Sequence, residues 1–474
     1  MRLVRTEWIK FRTVRGWTAG LVVAGLMVVL VALLAGVSSD QRGAPPVPVG
    51  PGGEPVTDSF SFVRRSLTGD GSISVSVAGL TTGVPWAKAG LIVKQSTRPG
   101  SPYAAIMVTG SHGVRMQHNY VNDTAGPVPA GPVRRLRLDR SGDTVTGYAS
   151  ADGTHWTEVG AVELELGPAA QGGLFVASPP VVEGLGTIGT VSTATFTDLR
   201  TSGSWSGDAW AGEQVGARSA TFAGYPQDTS ASFEETGGGF TVTGAGDIAP
   251  AVRETLPTGG TVKDLLTGTF AALIAVSVVA ALSVTTEYRT SLMHVTLAAA
   301  PRRGRVLLAK AVVLGGVTFA TGLVGAVAAV PLGERLARSN GVYLFPVTDS
   351  TGLRVALGTA VLLAAASVLA LSAGVIFRRS AVAVTTVLVA LVLPYLLVAN
   401  PFMPVGAANW LTRVTPAAAF AVQQTLVEYP QVSSIYKPYN GYWPLGPWAG
   451  LAVLVAYAVA GLGVAAVVLT RRDA

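Results

Sequence analysis

Two hydrophobic rhythms divide the chain. Unbroken apolar runs occupy residues 17–37, 265–284, 311–330, 355–377, 381–399 and 448–470, and none of them contains Asp, Glu, Lys, Arg or His. Each run approaches the ~20 residues an α-helix needs to cross a ~30 Å hydrocarbon core, so the pattern predicts six transmembrane helices. The first run is longer than the ~7–15 apolar residues of a secretory signal, and no clear small-x-small cleavage site follows it, so it is read as a retained anchor.

Between the first and second runs the period falls to two. Ile73, Val75 and Val77 alternate with Ser72, Ser74 and Ser76, and Leu136 and Leu138 alternate with Arg135, Arg137 and Asp139. Ala104, Ile106 and Val108 repeat the spacing, as do Phe240 and Val242. Such strands bury one face. Turn signals at 69–71, 141–143 and 152–153 separate them, which predicts an all-β sandwich or jelly roll. The expected architecture is an α-helical membrane protein with an all-β extracytoplasmic domain inserted between spans one and two. Its expected parts are an amphipathic elbow helix (1–16), the first span (17–37), a Pro/Gly linker (38–58), a compact β domain (59–200), an added strand or stalk (201–262) and a five-helix remainder (263–474). The last part contains a cytoplasmic loop at 285–306 and an extracytoplasmic loop at 400–446.

Charge supplies the orientation. Arg2, Arg5, Lys10, Arg12 and Arg15 precede the first span; Arg289, Arg302, Arg303 and Arg305 follow the second; Arg378, Arg379, Arg471 and Arg472 flank later ones. The positive-inside rule then predicts a multi-pass protein of the cell membrane with both termini cytoplasmic and residues 38–262 outside. The same sorting accounts for the net charge of +7: residues 38–262 hold 14 cationic and 20 acidic side chains, and the remainder holds 20 and 7. Basicity is therefore topological and predicts no nucleic-acid partner. With 49% hydrophobic and only 13% charged residues the chain departs from soluble averages. The absence of cysteine excludes disulfides, thiolate catalysis and Cys-ligated metals.

Candidate chemistry is sparse. His112 and His118 share strand parity with Val114 and Met116 and are candidates for pocket lining or a metal, against the plainer reading as partly buried sandwich histidines. SADGTHW (150–156) reads as a tight hairpin turn with Trp156 beneath it and resembles the Asp-box of sugar-binding β proteins. No carboxylate pair, nucleophile elbow or zinc-ligand spacing stands out, so the chain itself is expected to be neither an enzyme nor a cofactor or metal protein. Spans without ionisable groups argue against proton or sodium coupling. With no phosphate-loop motif either, ATP hydrolysis would have to occur in a partner.

Two cytoplasmic segments suit contact with such a partner. MRLVRTEWIKFRTVR (1–15) gathers Leu3, Val4, Trp8, Phe11 and Val14 on one side of a helix, with Glu7 falling towards that apolar side. TTEYRTSLMHVTLAAAPRRGR (285–305) predicts a helix from Glu287 to Ala300 with Tyr288, Leu292, Val295 and Ala299 on one stripe, ended or bent by Pro301. In the third run Thr318, Gly322 and Ala326 form a small-residue stripe that permits close helix approach, within the chain or between chains.

These segments carry a resemblance. The pattern of Arg5, Glu7, Trp8, Lys10, Phe11 and Arg12 before span one, then Glu287, Tyr288 and Arg289, the stretch LAAAPRR (297–303) and Ala309-Lys310, is similar to permease subunits of the type-two ABC exporter family. It covers residues 1–37 and 263–474. The resemblance implies an elbow helix (Glu7, Trp8, Lys10) and a coupling loop (Glu287, Tyr288, Arg289, Arg302, Arg303) that contact cytoplasmic ATPase subunits holding ATP and Mg. It also implies a second permease chain, identical or merely similar, membrane lipid around the spans, and export of an amphipathic substrate. Residues 86–120 and 135–160 resemble the concanavalin-A-like, laminin-G-like jelly roll, which leaves glycan or export-substrate binding by the β domain open. The inserted domain departs from common members of the exporter family, so a subunit that transmits force without passing substrate through its own spans is an alternative. A membrane-anchored carbohydrate-binding receptor is another.

Overall fold

The computed structural model describes residues 2–44, 46–127, 134–183, 186–216, 232–256, 258–299, 302–400 and 402–472. The chain divides into a helical unit, residues 1–44, 258–428 and 435–474, and a β unit, residues 45–257 and 429–434.

In the helical unit α1 is Arg2–Thr13, α2 Arg15–Ser38, α3 Val262–Leu265, α4 Thr269–Arg289 and α5 Leu292–Ala299. Then come α6 Arg303–Ser339, α7 Asp349–Phe377, α8 Ser380–Val398, α9 Val405–Val414 and α10 Pro447–Arg472. Among the described residues six helices, α2, α4, α6, α7, α8 and α10, are long and apolar enough to cross a membrane. The α7 helix is central and packs against α4, α6, α8 and α10. Its small residues permit that approach: at Gly374 an added Cβ would come within 2.6 Å of the Val284 side chain. The stripe of Thr318, Gly322 and Ala326 is buried and serves packing within the chain. Gly322 sits against Ala360 and Leu363, and the Thr318 hydroxyl pairs with Ser367 at 3.0 Å.

Two helix boundaries differ from the sequence expectation. The α6 helix continues through Pro331 to Ser339, so its apolar run is only part of a 37-residue helix. The single helix expected over 287–300 is split, because α4 ends at Arg289 and Ser291 takes a left-handed φ of 59° before α5 begins. That conformation is costly for a residue with a Cβ and cannot continue a helix. Pro301, expected to end the helix, lies outside the described residues. The loop at 400–446 contains α9 and then a 3-10 helix, Pro416–Gln423, every residue of which is buried. It packs against α7, α8 and α10.

The β unit is built from β1 (Val56–Asp58), β2 (Phe60–Thr81), β3 (Lys88–Lys94), β4 (Tyr103–Thr109), β5 (Val114–His118) and β6 (Asn122–Ala125). These are followed by β7 (Arg134–Ser141), β8 (Thr144–Ser150), β9 (Thr157–Glu163), β10 (Ala169–Ala177), β11 (Val181–Glu183) and β12 (Gly186–Ile188). The last strands are β13 (Ser192–Val215), β14 (Ser232–Thr236), β15 (Gly239–Gly244) and β16 (Ile248–Pro250). Twelve strands form one antiparallel sheet among the described residues, with separate pairs β1–β16 and β11–β12. The long β2 strand pairs with β10 through its first half and with β7 through its second, while β13 runs along its other edge. The sheet therefore forks. One wing is β10-β3-β4-β5-β6 and the other β7-β8-β9, and side chains from both, Leu91, Ile106 and Met116 with Leu136, Leu138 and Val145, fill one core.

Two expected boundaries are corrected here. The sheet runs past the expected end of the compact domain at residue 200: β13 continues through Val215 paired to β2, and β14 and β15 extend the same sheet, so of the strand and the stalk expected for 201–262 the described residues supply strands. The Pro/Gly stretch 38–58 is not wholly a linker either, since Val56–Asp58 forms β1 and Asp58 is buried. The physical reason is a pair of charges. Lys88 and Lys94, at the two ends of β3, are fully buried on the face opposite Leu91. Lys94 Nζ donates to Asp58 Oδ2 at 2.8 Å and to the Ser101 carbonyl at 2.9 Å, and Lys88 Nζ donates to Asp247 Oδ1 at 2.6 Å. A buried ammonium needs a carboxylate, so both chain ends of the unit are drawn onto the sheet. A small core of Phe60, Phe62, Tyr103, Tyr120 and Phe175 fills the same face. Within this unit Gln431 Nε2 donates to the Val121 carbonyl at 2.9 Å, and Val432 packs on Ala249 and Val252.

Candidate functional site

The expected coupling residues lie at the meeting of α1, α4 and α6. Glu7 and Phe11, one helical turn apart on α1, face inward and are 7% and 6% exposed. Phe11 stacks against Trp8 at 6.5 Å and meets Trp17 at 6.1 Å between ring centroids. Glu287 occupies the last turn of α4, where the helix dipole disfavours a carboxylate, and is buried. Both acids converge on Lys310, about two turns into α6. Its ammonium donates to Glu7 Oε2 at 2.7 Å and to Glu287 Oε1 at 2.6 Å.

A second lysine closes the group. Lys10 Nζ lies 3.1 Å from Glu7 Oε1 and 3.7 Å from Glu287 Oε1, and it donates to Thr296 Oγ1 of α5 at 3.3 Å. Two acids and two lysines thus neutralise one another and tie α1, α4, α5 and α6 together. Such a cluster contributes little net stability against an apolar replacement, but losing Lys310 or one of the two acids, all three buried, leaves a buried uncompensated charge. Its chemical capacity is to fix the register of these helices.

The other expected site residues are dispersed. Tyr288 packs on the helical core with the Arg378 guanidinium 5.0 Å from its ring centroid. Arg303 Nη1 donates to the Leu469 carbonyl at 3.0 Å near the end of α10. Trp8, Arg289 and Arg302 are exposed. The expected apolar stripe is divided: Tyr288 packs on the helical core, whereas Leu292 and Val295 are exposed and Met293, off the stripe, is buried. In the same way Val4 and Trp8 on α1 point away from the side that buries Glu7 and Phe11. Lys310 was quoted in the sequence pattern but given no role. The signal that identifies it is Glu7 on the apolar side of a helix, because a carboxylate there requires a cation.

The β-unit candidates take ordinary structural positions. His112 stacks on Trp86 with centroids 3.8 Å apart, and its Nδ1 lies 3.2 Å from the Pro85 carbonyl. His118 is half-buried, and burial lowers its pKa. No group of three or more His, Asp or Glu side chains suited to a metal occurs among the described residues. In the 150–156 turn, Asp152 Oδ1 accepts from the backbone N–H groups of Thr154 and His155 at 2.7 and 2.8 Å. Its Oδ2 lies 2.7 Å from His155 Nδ1. These bonds hold the Asp152 carboxyl well below its usual range and raise the His155 pKa. Trp156 is only half-buried.

No family model matches the chain, and no curated protein matches it. Among solved structures it is similar to the GH43 protein BlXynB of Bacillus licheniformis, at 16% identity and a TM-score of 0.20, over 23% of this chain and 24% of that one. The chain thus spans about a quarter of the length of that protein. A functionally unknown protein of Saccharomyces cerevisiae matches at 13% identity over 31% of this chain and 75% of its own, with a TM-score of 0.23. Scytalido-glutamic peptidase matches at 14% identity over 39% of this chain and 98% of its own, with a TM-score of 0.25. At these identities and scores the likenesses assign no activity to the chain.

Proposed function

We propose that the chain is the permease subunit of an ATP-driven exporter of the type-two ABC kind, working with a separate cytoplasmic ATPase and a second permease chain. The observation that carries this reading is the four-charge cluster. An N-terminal helix, the end of the second long apolar helix and the start of the third are joined by Glu7, Lys10, Glu287 and Lys310. A partner that displaces α5 or the exposed end of α1 then moves α4 and α6 with it, because separating them strands buried charge. Trp8, Arg289 and Arg302 offer the exposed contact groups, while the buried acids hold the lever together. On this reading both termini are cytoplasmic, the β unit is an extracytoplasmic sandwich of concanavalin-like type, and an amphipathic substrate leaves outward.

A second reading, force transmission to the β unit, is favoured by one observation: residues 429–434, from the long segment between α8 and α10, belong to the β unit. Purifying the full chain gently from its native membrane and assaying the complex in nanodiscs separates these possibilities. The exporter reading expects a stoichiometric ATPase, nucleotide-dependent substrate flux, and loss of ATPase capture in an Arg289→Glu, Arg302→Glu variant. ATPase coupling without flux supports transmission. A preparation without an ATPase, under conditions that retain a control complex, rejects both.

A further inference from the structure

Lys94 and Asp58 meet in a fully enclosed part of the β unit. Both side chains are 0% exposed, and Nζ lies 2.8 Å from Oδ2. The core on that face contains Phe60, Phe62, Tyr103 and Tyr120, and the lysine nitrogen is 5.6 and 5.3 Å from the ring centroids of Tyr103 and Tyr120. Burial penalises the ammonium form and lowers the Lys94 pKa. The two oxygens of Asp58 are treated differently. Besides Lys94, Oδ2 accepts from the Gly100 N–H at 2.8 Å and from the Tyr120 hydroxyl at 2.7 Å. Oδ1 is buried and has no hydrogen-bond partner. Gly100 holds its N–H in place with a left-handed φ of 86°, where an added Cβ would collide with the Val49 carbonyl oxygen, so the donor position requires glycine. The second buried lysine provides a contrast. Asp247 Oδ1 accepts from Lys88 at 2.6 Å and from the Ile248 N–H at 2.8 Å, and among the described residues no hydroxyl donates to it.

We infer that Lys94 and Asp58 condense into an intramolecular amide, a covalent staple between β1 and the end of β3. Nζ attacks Cγ of Asp58, so the Nζ–Cγ bond forms and the Cγ–Oδ1 bond breaks. Two protons of the ammonium pass to Oδ1, which leaves as water, and the third stays on the amide nitrogen. An ammonium and a carboxylate thus become one amide and one water, with no oxidant or co-reactant. The negative charge that gathers on Oδ2 in the tetrahedral intermediate is met by the Gly100 N–H and the Tyr120 O–H, the arrangement of an oxyanion hole. Fixed contact replaces the encounter that a bimolecular condensation would need. The product removes two buried charges, whose desolvation opposes the ionic pair. It also keeps its hydrogen bonds: Oδ2 retains both donors, and the amide N–H inherits the Ser101 carbonyl that Nζ already contacts at 2.9 Å. The mechanical consequence follows from topology. The three-residue β1 pairs only with β16, and the chain has no cysteine to fasten it otherwise, so the amide would carry tension that enters the unit at β1 directly into the twelve-stranded sheet. The inference is independent of the ATPase reading.

The full wild-type chain, purified from its native membrane, is denatured, digested and sequenced by tandem mass spectrometry. The expected product is a branched peptide that joins Asp58 to Lys94 and is lighter by one water than its two arms together, with Lys88 and Asp247 recovered in linear peptides. Tyr120→Phe keeps the ring and removes one donor from Oδ2. In chains followed by isotope labelling from the moment of synthesis, the branch then forms about a hundredfold more slowly, the scale of losing one oxyanion donor. An unchanged rate in that variant, or an equal branch at Lys88 and Asp247, overturns the role given to the two donors. Recovery of Asp58 and Lys94 from the wild-type chain only in separate linear peptides overturns the inference itself, and this reading does not depend on any variant folding.

Discussion

Lys310 is the residue on which the buried charges at the meeting of α1, α4 and α6 converge. Lys310→Met leaves Glu7 and Glu287 facing one another in a buried site and is expected to destabilise the helical unit by about 3–5 kcal/mol. Adding Glu7→Gln and Glu287→Gln to the same chain should recover most of that loss, measured by denaturation of the full chain in detergent. Lys10 is 32% exposed at its side chain, so Lys10→Ala should cost about 1 kcal/mol or less. A recovery that fails in the triple variant would show that the cluster carries more than charge balance. The Asp152–His155 pair gives a residue-scale pH prediction. The raised His155 pKa means that its contribution to the turn is complete below the ordinary histidine value of about 6.5 and is lost as pH rises through the folded value. Asp152 has the opposite sense: its contribution is present above the ordinary carboxylate range and is lost as pH falls through its lowered value. An NMR titration should find His155 above its ordinary value, and Asp152→Asn should return it; an unshifted His155 in the wild-type chain refutes the pairing.

At the scale of elements, close packing of α7 decides what the helical unit tolerates. A Cβ at Gly358 would meet Val422 of the 3-10 helix at 2.0 Å, whereas Gly352 in the same helix has nothing within 4 Å. Gly358→Val should therefore destabilise by about 1–3 kcal/mol through overpacking. Gly352→Ala should be neutral or stabilising by about 0.5–1 kcal/mol. Equal effects at the two positions would contradict the close seating of the 3-10 helix on α7. The long apolar helices were legible because uncharged runs of their length have few other solutions, and β2, β4 and β7 were legible from period-two alternation. What escaped the sequence was set by distant partners. The continuation of β13 past residue 200 depends on β2, whose pairing residues are more than a hundred positions away. The folding of Asp58 onto the sheet depends on Lys94, and no local pattern announces it. The break at Ser291 likewise overrides a helical stripe that looked continuous from Tyr288 to Ala299. At the site, Glu7 and Glu287 were recognised as notable but placed on a contact surface. Their burial and their shared contact with Lys310 show that they face inward.

The whole molecule joins a helical unit, in which six helices among the described residues are long and apolar enough to cross a membrane, to a β unit of antiparallel strands, and the proposed function requires the end that carries Glu7, Glu287 and Lys310 to meet an ATPase. The chain has no cysteine, so a single introduced thiol reports one position without background. The most direct test places Arg289→Cys in the full chain in inside-out vesicles from the native membrane and adds a short thiol-to-amine cross-linker with and without ATP. The account predicts one dominant adduct with an ATPase subunit, altered in yield by nucleotide, and no such adduct from a Gly352→Cys control. An Arg289→Cys chain that yields no ATPase adduct, although the ATPase is present and active in the same vesicles, would contradict the coupling role of this end of the molecule.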